Sequence, residues 1–156
     1  MFHIVLYQPE IPPNTGNVMR LCANAGARLH LIEPLGFAMD EPRLRRAGLD
    51  YRERTRYRQH PDFDSFLARE APQAVYMFTR HGRVRHDTIA YAEGDALVFG
   101  PETRGLTPEM LARSSRPEGV RVPMRAGNRS INLGNAVAIA LFEAWRQQDF
   151  AGAGDD

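Results

Sequence analysis

The feature that most constrains this chain is a set of short, predominantly apolar runs. HIVLY (residues 3–7), LHLI (29–32), AVYMFT (74–79) and ALVFG (96–100) each pass directly into polar, Gly or Pro turn residues. A strand with one wet face alternates apolar and polar residues, whereas a strand apolar throughout is covered on both faces, as in a parallel sheet. VRVPM (120–124) reads as a further strand.

Helical patterns lie between these runs. Asn14 to Ala25 places Val18, Leu21, Cys22 and Ala25 on one face and Asn17, Arg20 and Asn24 on another, and Gly26 is suited to end it. Phe63, Phe66 and Leu67 predict a second helix, and Pro42 to Ala47 a short one. Thr107 and Pro108 make a capped helix start, and Ile131 to Gln147 is the longest pattern. Strands alternating with helices predict an α/β fold, a mainly parallel sheet flanked by helices. Residues 1–150 read as one domain and 151–156, AGAGDD, as a disordered tail. Ligands of such sheets sit beyond the carboxyl ends of the strands, so the loops there are the candidate sites.

Several function classes drop out. No stretch approaches the roughly 20 apolar residues of a membrane helix, and no basic region precedes a long apolar run at the start. Cys22 is the single cysteine, so no internal disulfide forms, and a cytoplasmic location is the default expectation. The five histidines show no metal-ligand spacing, so no metal is expected. No G-x-G-x-x-G or Walker-type loop is present. All 20 basic residues other than His are Arg. Arg43, Arg45, Arg46, Arg52, Arg54, Arg56 and Arg58 crowd one segment and Arg80, Arg83 and Arg85 another. Arg offers bidentate contact to phosphate. A net charge of +1 and a pI near 8.0 leave two readings open, a phosphate-binding surface and a solvated face.

Three segments concentrate polar chemistry. PPNTGNVMR (12–20) sets Asn14 at a helix start with Arg20 following, either a cap and a surface residue or an anion site. FGPETRGL (99–106) drives a buried strand into Gly100 and Glu102, either a tight turn or a place where a ligand nears the backbone. NRSINLGN (128–135) gathers Asn128, Arg129, Ser130, Asn132 and Asn135 between a strand and an apolar helix. A capped turn explains some of these residues but not the whole cluster.

Taken in order, Asn14-x-x-Gly-Asn-x-x-Arg20, FGPETRGL and RSINLGNAVAIALFEAW resemble the signature motifs of the SPOUT methyltransferases. The chain is most similar to the small tRNA wobble cytidine/uridine 2′-O-methyltransferases, through IVLYQPEIPPNTGNVMRLCANAG, LIEPLGF and LRRAGLDY as well. The resemblance implies a C-terminal trefoil knot and S-adenosylmethionine held by Phe78, Gly100, Val122 and Ser130. It also implies 2′-O-methylation of tRNA, at the wobble C or U of leucine tRNAs. Arg20 matches the family's catalytic arginine, and Asn14, Glu102, Ser130 and Asn132 its other motif residues. Arg43, Arg45, Arg46 and Arg129 are the RNA-binding candidates. Gly134 and Phe142 depart from the pattern, standing where Ser and Tyr are familiar. The competing expectations are rRNA 2′-O-methylation and a noncatalytic RNA-binding knot protein.

A guanidinium is a poor general base, so the expected role of Arg20 is electrostatic orientation, with an RNA phosphate or water taking the proton. The last helix carries Leu133, Val137, Leu141 and Trp145 on one face and Ile139 and Phe142 on others. So much apolar circumference predicts a homodimer.

Overall fold

The computed structural model describes residues 1–40, 42, 46 and 57–154. Its elements run β1 (His3–Tyr7), α1 (Pro12–Ala25), β2 (Arg28–Ile32), β3 (Tyr57–His60), α2 (Phe63–Glu70), β4 (Val75–Phe78) and β5 (Val84–Arg85). A 3₁₀ turn (His86–Thr88) follows, then β6 (Ala96–Phe99), α3 (Pro108–Leu111), β7 (Val120–Arg121) and α4 (Leu133–Arg146). The described strands form one seven-stranded sheet in the order β3-β2-β1-β6-β4-β7-β5, with every pairing parallel. The α/β class expected from the apolar runs is therefore present.

Both faces of the sheet are covered. Ile4, Leu6, Leu29, Leu31, Leu97 and Phe99 pack beneath α1 and α4, which contribute Val18, Met19, Val137 and Leu141. On the other face Val5, Ile32, Met77 and Val98 lie under Phe63 and Phe66 of α2 and Met110 of α3. Fully burying one such side chain stabilises by about 1.5–3 kcal/mol. The lone thiol, Cys22, belongs to the first layer, where burial pushes its pKa up to about 12 and leaves it unreactive.

The elements differ from expectation at four places. Helix α1 begins two residues early, because Pro12 and Pro13 occupy positions whose N–H would be unpaired anyway. The strand expected over 120–124 keeps only Val120 and Arg121, and Pro123, just beyond, has no N–H for a ladder. Strand β3, YRQH, was hidden by its exposed Arg58 and Gln59, and β5 is two residues long. Pro42 and Arg46 are helical, with Arg46 Nε donating to the Pro42 carbonyl at 3.3 Å. Arg43, Arg45, Arg52, Arg54 and Arg56 lie outside the described residues, as does most of LRRAGLDY. The segment read as a disordered tail is described to residue 154, where the Ala151 carbonyl accepts the Trp145 indole N–H at 3.0 Å. No helix among the described residues is long and apolar enough to cross a membrane.

One polar feature lies inside the second layer. His3, His30 and His60, all buried, stand on the adjacent strands β1, β2 and β3, and Phe66 packs against all three rings. Burial holds the rings uncharged. It lowers the pKa of His3 and His60 and pushes that of His30 down to about 3.

Candidate active site

A cavity of about 560 Å³ opens where β4, β6 and β7 end, within the roughly 300–1,000 Å³ range of small-molecule sites. The Phe78 and Phe99 rings stack beside it with centroids 4.7 Å apart, and Val122 and Leu133 extend its apolar lining. Gly100 shapes it from within. A Cβ there would stand 2.6 Å from the Leu106 nitrogen and 2.7 Å from the Gly105 carbonyl carbon, so the 100–106 turn closes only around glycine. The close backbone approach anticipated at Gly100 is thus made by the chain itself.

Three segments distant in sequence meet at this cavity. The Glu102 carboxylate accepts from the backbone N–H of Glu10 (2.8 Å) and Ile11 (3.1 Å) and from Asn14 Nδ2 (3.3 Å). Asn14 Oδ1 accepts from Asn132 Nδ2 at 3.0 Å, and Asn132 Oδ1 caps α4 by accepting from the Asn135 N–H at 3.4 Å. In return, Glu10 Oε2 accepts from the Thr103 N–H at 3.0 Å and from its hydroxyl at 2.7 Å. Asn14 therefore does not cap its own helix. Ile11 is the N-cap residue without a side-chain bond, and the Glu102 carboxylate supplies the missing acceptor at the positive helix end.

This arrangement divides the sequence candidates. Asn14, Glu102, Ser130 and Asn132 line the cavity together with Phe78, Gly100 and Val122. Glu102 already accepts from three donors, which suits a positioning residue better than a proton acceptor. Arg129 also lines the cavity, and its carbonyl accepts from Arg80 at 2.9 Å, which ties the 125–131 loop to the end of β4. Arg20 is exposed on α1 and is not among the lining residues. Sequence reasoning passed over Arg80 and Arg104 at the cavity mouth. Arg80 stands in the second arginine cluster of the sequence, but only the approach of the 125–131 loop to the end of β4 brings it to the cavity rim.

The donor set suits S-adenosylmethionine. Stacked aromatic and aliphatic walls fit an adenine and a thioether chain, and Ser130 and the turn backbone provide polar contacts. A sequence model of the SpoU rRNA Methylase family matches residues 1–142. A tRNA (cytidine(34)-2′-O)-methyltransferase from Burkholderia pseudomallei is 58% identical over 154 residues, covering 97% of this chain and 99% of that protein. A solved structure described as "Structural insights into the 2-OH methylation of C/U34 on tRNA" superposes with a TM-score of 0.85. It is 47% identical and covers 96% of this chain and 97% of its own. A more distant AdoMet-bound rRNA methyltransferase from Sinorhizobium meliloti gives a TM-score of 0.79 at 25% identity. That match covers 93% of this chain and 56% of the other.

Proposed function

The chain belongs to the SpoU rRNA methylase family, and from that premise we propose that it methylates the ribose 2′-hydroxyl of nucleotide 34 of tRNA. The observation that carries the reading is the cavity beyond β4, β6 and β7, built from the three motif segments in a chain 58% identical to a tRNA (cytidine(34)-2′-O)-methyltransferase. S-adenosylmethionine supplies an already activated methyl group, so the protein's part is alignment, which contributes about 7–11 kcal/mol when two reactants are held in register. Phe78, Gly100, Val122 and Ser130 would hold the cofactor. Asn14, Glu102 and Asn132 fix the loops around it. Arg129, with Arg43, Arg45 and Arg46, would hold RNA phosphates. No metal enters this scheme.

Arg20 stays the residue proposed to orient the reacting hydroxyl. Because it does not line the cavity of its own chain, a second copy is the natural source of that guanidinium. Helix α4, which packs on α1, exposes Ile139 and Phe142, and Phe150 is exposed just beyond it. Such a patch supports a homodimer whose sites are completed across the interface. The insertion of β7 between β4 and β5, with α4 returning to α1, supports the trefoil knot implied by the motifs. A cytoplasmic site of action accompanies a tRNA substrate.

The test is methylation of total tRNA and of rRNA by the purified chain, with the modified nucleotide mapped. Methyl transfer at position 34, beginning with the leucine isoacceptors, is expected. Modification of rRNA alone would move the reading to the rRNA enzymes, and cofactor-independent RNA binding without transfer would make the protein a binding module. Mixing Arg20→Ala with a cofactor-blind variant should restore part of the activity if the site is shared, and no restoration would place Arg20 in its own chain's site.

A further inference from the structure

The cluster left unused by methyl transfer sits at the other end of the sheet. His3 is the first residue of β1, whereas the cofactor cavity lies past the last residues of β4 and β6. His3 pairs in register with Arg28, so His30 is two residues further along β2, and the two side chains share a face because strand side chains alternate. His3 Nδ1 and His30 Nε2 are 2.9 Å apart. Glu70, at the end of α2, brings a carboxylate whose side chain is only 3% exposed. One potential ligand atom from each of His3, His30 and Glu70 lies within 4.8 Å of the others.

We propose that His3, His30 and Glu70 form a binding site for a divalent transition-metal cation of the Zn²⁺ type. Two imidazole nitrogens and one carboxylate are a donor set suited to Zn²⁺ or Co²⁺, with water free to take a remaining position. The outer contacts match those of metal ligands. The second ring nitrogen of His30, Nδ1, is 3.0 Å from His60 Nε2, which fixes the ring and leaves Nε2 directed at His3. Arg58 donates to Glu70 Oε1 at 2.7 Å and orients the carboxylate, while Oε2 has Arg28 at 4.0 Å. A cavity of about 380 Å³, lined by Arg28, His30, Tyr57 and Arg58, borders the cluster on the His30 side.

Binding has two local costs. The proton shared between the facing nitrogens must vacate them. With His3 as its Nε2–H tautomer and His30 as its Nδ1–H tautomer, both rings ligate without net loss of a proton. The 2.9 Å separation must also widen by a few tenths of an ångström, since two nitrogens about 2.0–2.1 Å from one ion in tetrahedral geometry stand further apart. Arg28, Arg58 and Arg69, all within 4.0 Å of Glu70, oppose a second cation, so the site is weaker than an uncontested one. Its effect is to tie β1, β2 and α2 together rather than to act on RNA.

The experiment strips the full chain with chelator and titrates it with Co²⁺, read by visible absorption, and with Zn²⁺, read by calorimetry. One ion per chain is expected, with Zn²⁺ displacing Co²⁺ and raising the thermal midpoint. His3→Gln and Glu70→Gln should each abolish the stoichiometric Co²⁺ spectrum. His60→Gln, an outer partner, should weaken binding by about ten- to a hundredfold. Circular dichroism verifies that each variant is folded, and Glu70→Gln decides if His3→Gln is not. Absence of one-to-one binding to the stripped chain, or an unchanged spectrum in a folded Glu70→Gln, would overturn the proposal.

Discussion

The two ends of helix α4 are held by the same chemistry and do different things. At its start, Asn132 bonds Asn14 and caps the helix, and Asn14 bonds Glu102. At its end, Gln147 Nε2 donates to the Ile89 carbonyl and to Glu143, both at 2.9 Å. Its Oε1 accepts from the Tyr91 N–H at 2.9 Å, and Gln148 donates to the Tyr91 carbonyl at 2.9 Å. Both ends saturate buried or half-buried polar groups, as burial requires. Only the first borders the 560 Å³ cavity. A saturated polar network is therefore a sign of folding, and what marks a site is the cavity the network leaves open beside it.

The strongest challenge to that contrast is Gly100→Ala. The added methyl has no room against Leu106 and Gly105, so the cavity wall must shift. Loss of cofactor binding and of methyl transfer is expected, with stability lowered by about 1–3 kcal/mol from overpacking. Calorimetric cofactor titration with thermal unfolding measures both, and unchanged affinity would show that the wall is not set by this turn. Next in size is Arg20→Ala. Turnover should fall by about 10²-fold, the scale of one lost preorganised electrostatic group. Arg20→Lys should recover little, since a point charge does not reproduce the planar fork. Cofactor affinity should hold, because the residue lies outside the cavity lining. Near-normal single turnover would remove Arg20 from the mechanism.

Glu102→Gln probes positioning directly. The new amide group sets N–H against the N–H donors of Glu10, Ile11 or Asn14, at a cost of about 1–3 kcal/mol for unsatisfied groups. Activity should drop while the pH–rate profile keeps its shape. A profile that loses its acidic limb would instead make Glu102 the proton acceptor. At the other end of α4, Gln147→Ala should cost about 1 kcal/mol in denaturant unfolding and leave turnover of the folded protein unchanged. A fall in turnover there would erase the contrast between the ends.

The sequence made one end legible and not the other for a physical reason. Asn14, Glu102, Ser130 and Asn132 sit in ordered motifs, and the resemblance of that ordered set to a known family is what singled them out together. The sheet was also readable, because strands buried on both sides are apolar at most positions. The bond from Asn132 to Asn14 spans 118 positions, and no local pattern encodes it. The same holds for His3, His30 and His60. They show no metal-ligand spacing along the chain, and only the parallel register of β1, β2 and β3 sets them nitrogen to nitrogen. Glu143 and Gln147 look like any polar pair on a helix surface until the 89–91 segment lies against them. The edge strand β3 exposes Arg58 and Gln59 and has only Tyr57 as an apolar signal.

The smallest expected effect belongs to Glu143, in the structural network. Its carboxylate accepts from Arg146 and Gln147, in that order of influence, and these bonds bring its pKa down to about 2 from 4.5. A carboxyl with a depressed folded pKa contributes stability that is complete above its unfolded value and is lost as pH falls through its folded value. The relevant window therefore runs from about pH 4.5 down to about 2. The Arg146 side chain is 59% exposed and that of Glu143 15%, so water screens the pair from the arginine side and keeps the contribution to about 1 kcal/mol. Glu143→Gln should be slightly less stable than the parent at pH 7. The gap should close as acid is added through that window and shrink at neutral pH as salt is raised. Urea unfolding of both proteins across pH and salt makes the measurement. A gap that widens on acidification would mean that the carboxylate is opposed by its surroundings rather than held by Arg146 and Gln147. The end of α4 would then carry an unpaired charge of the kind expected near a site.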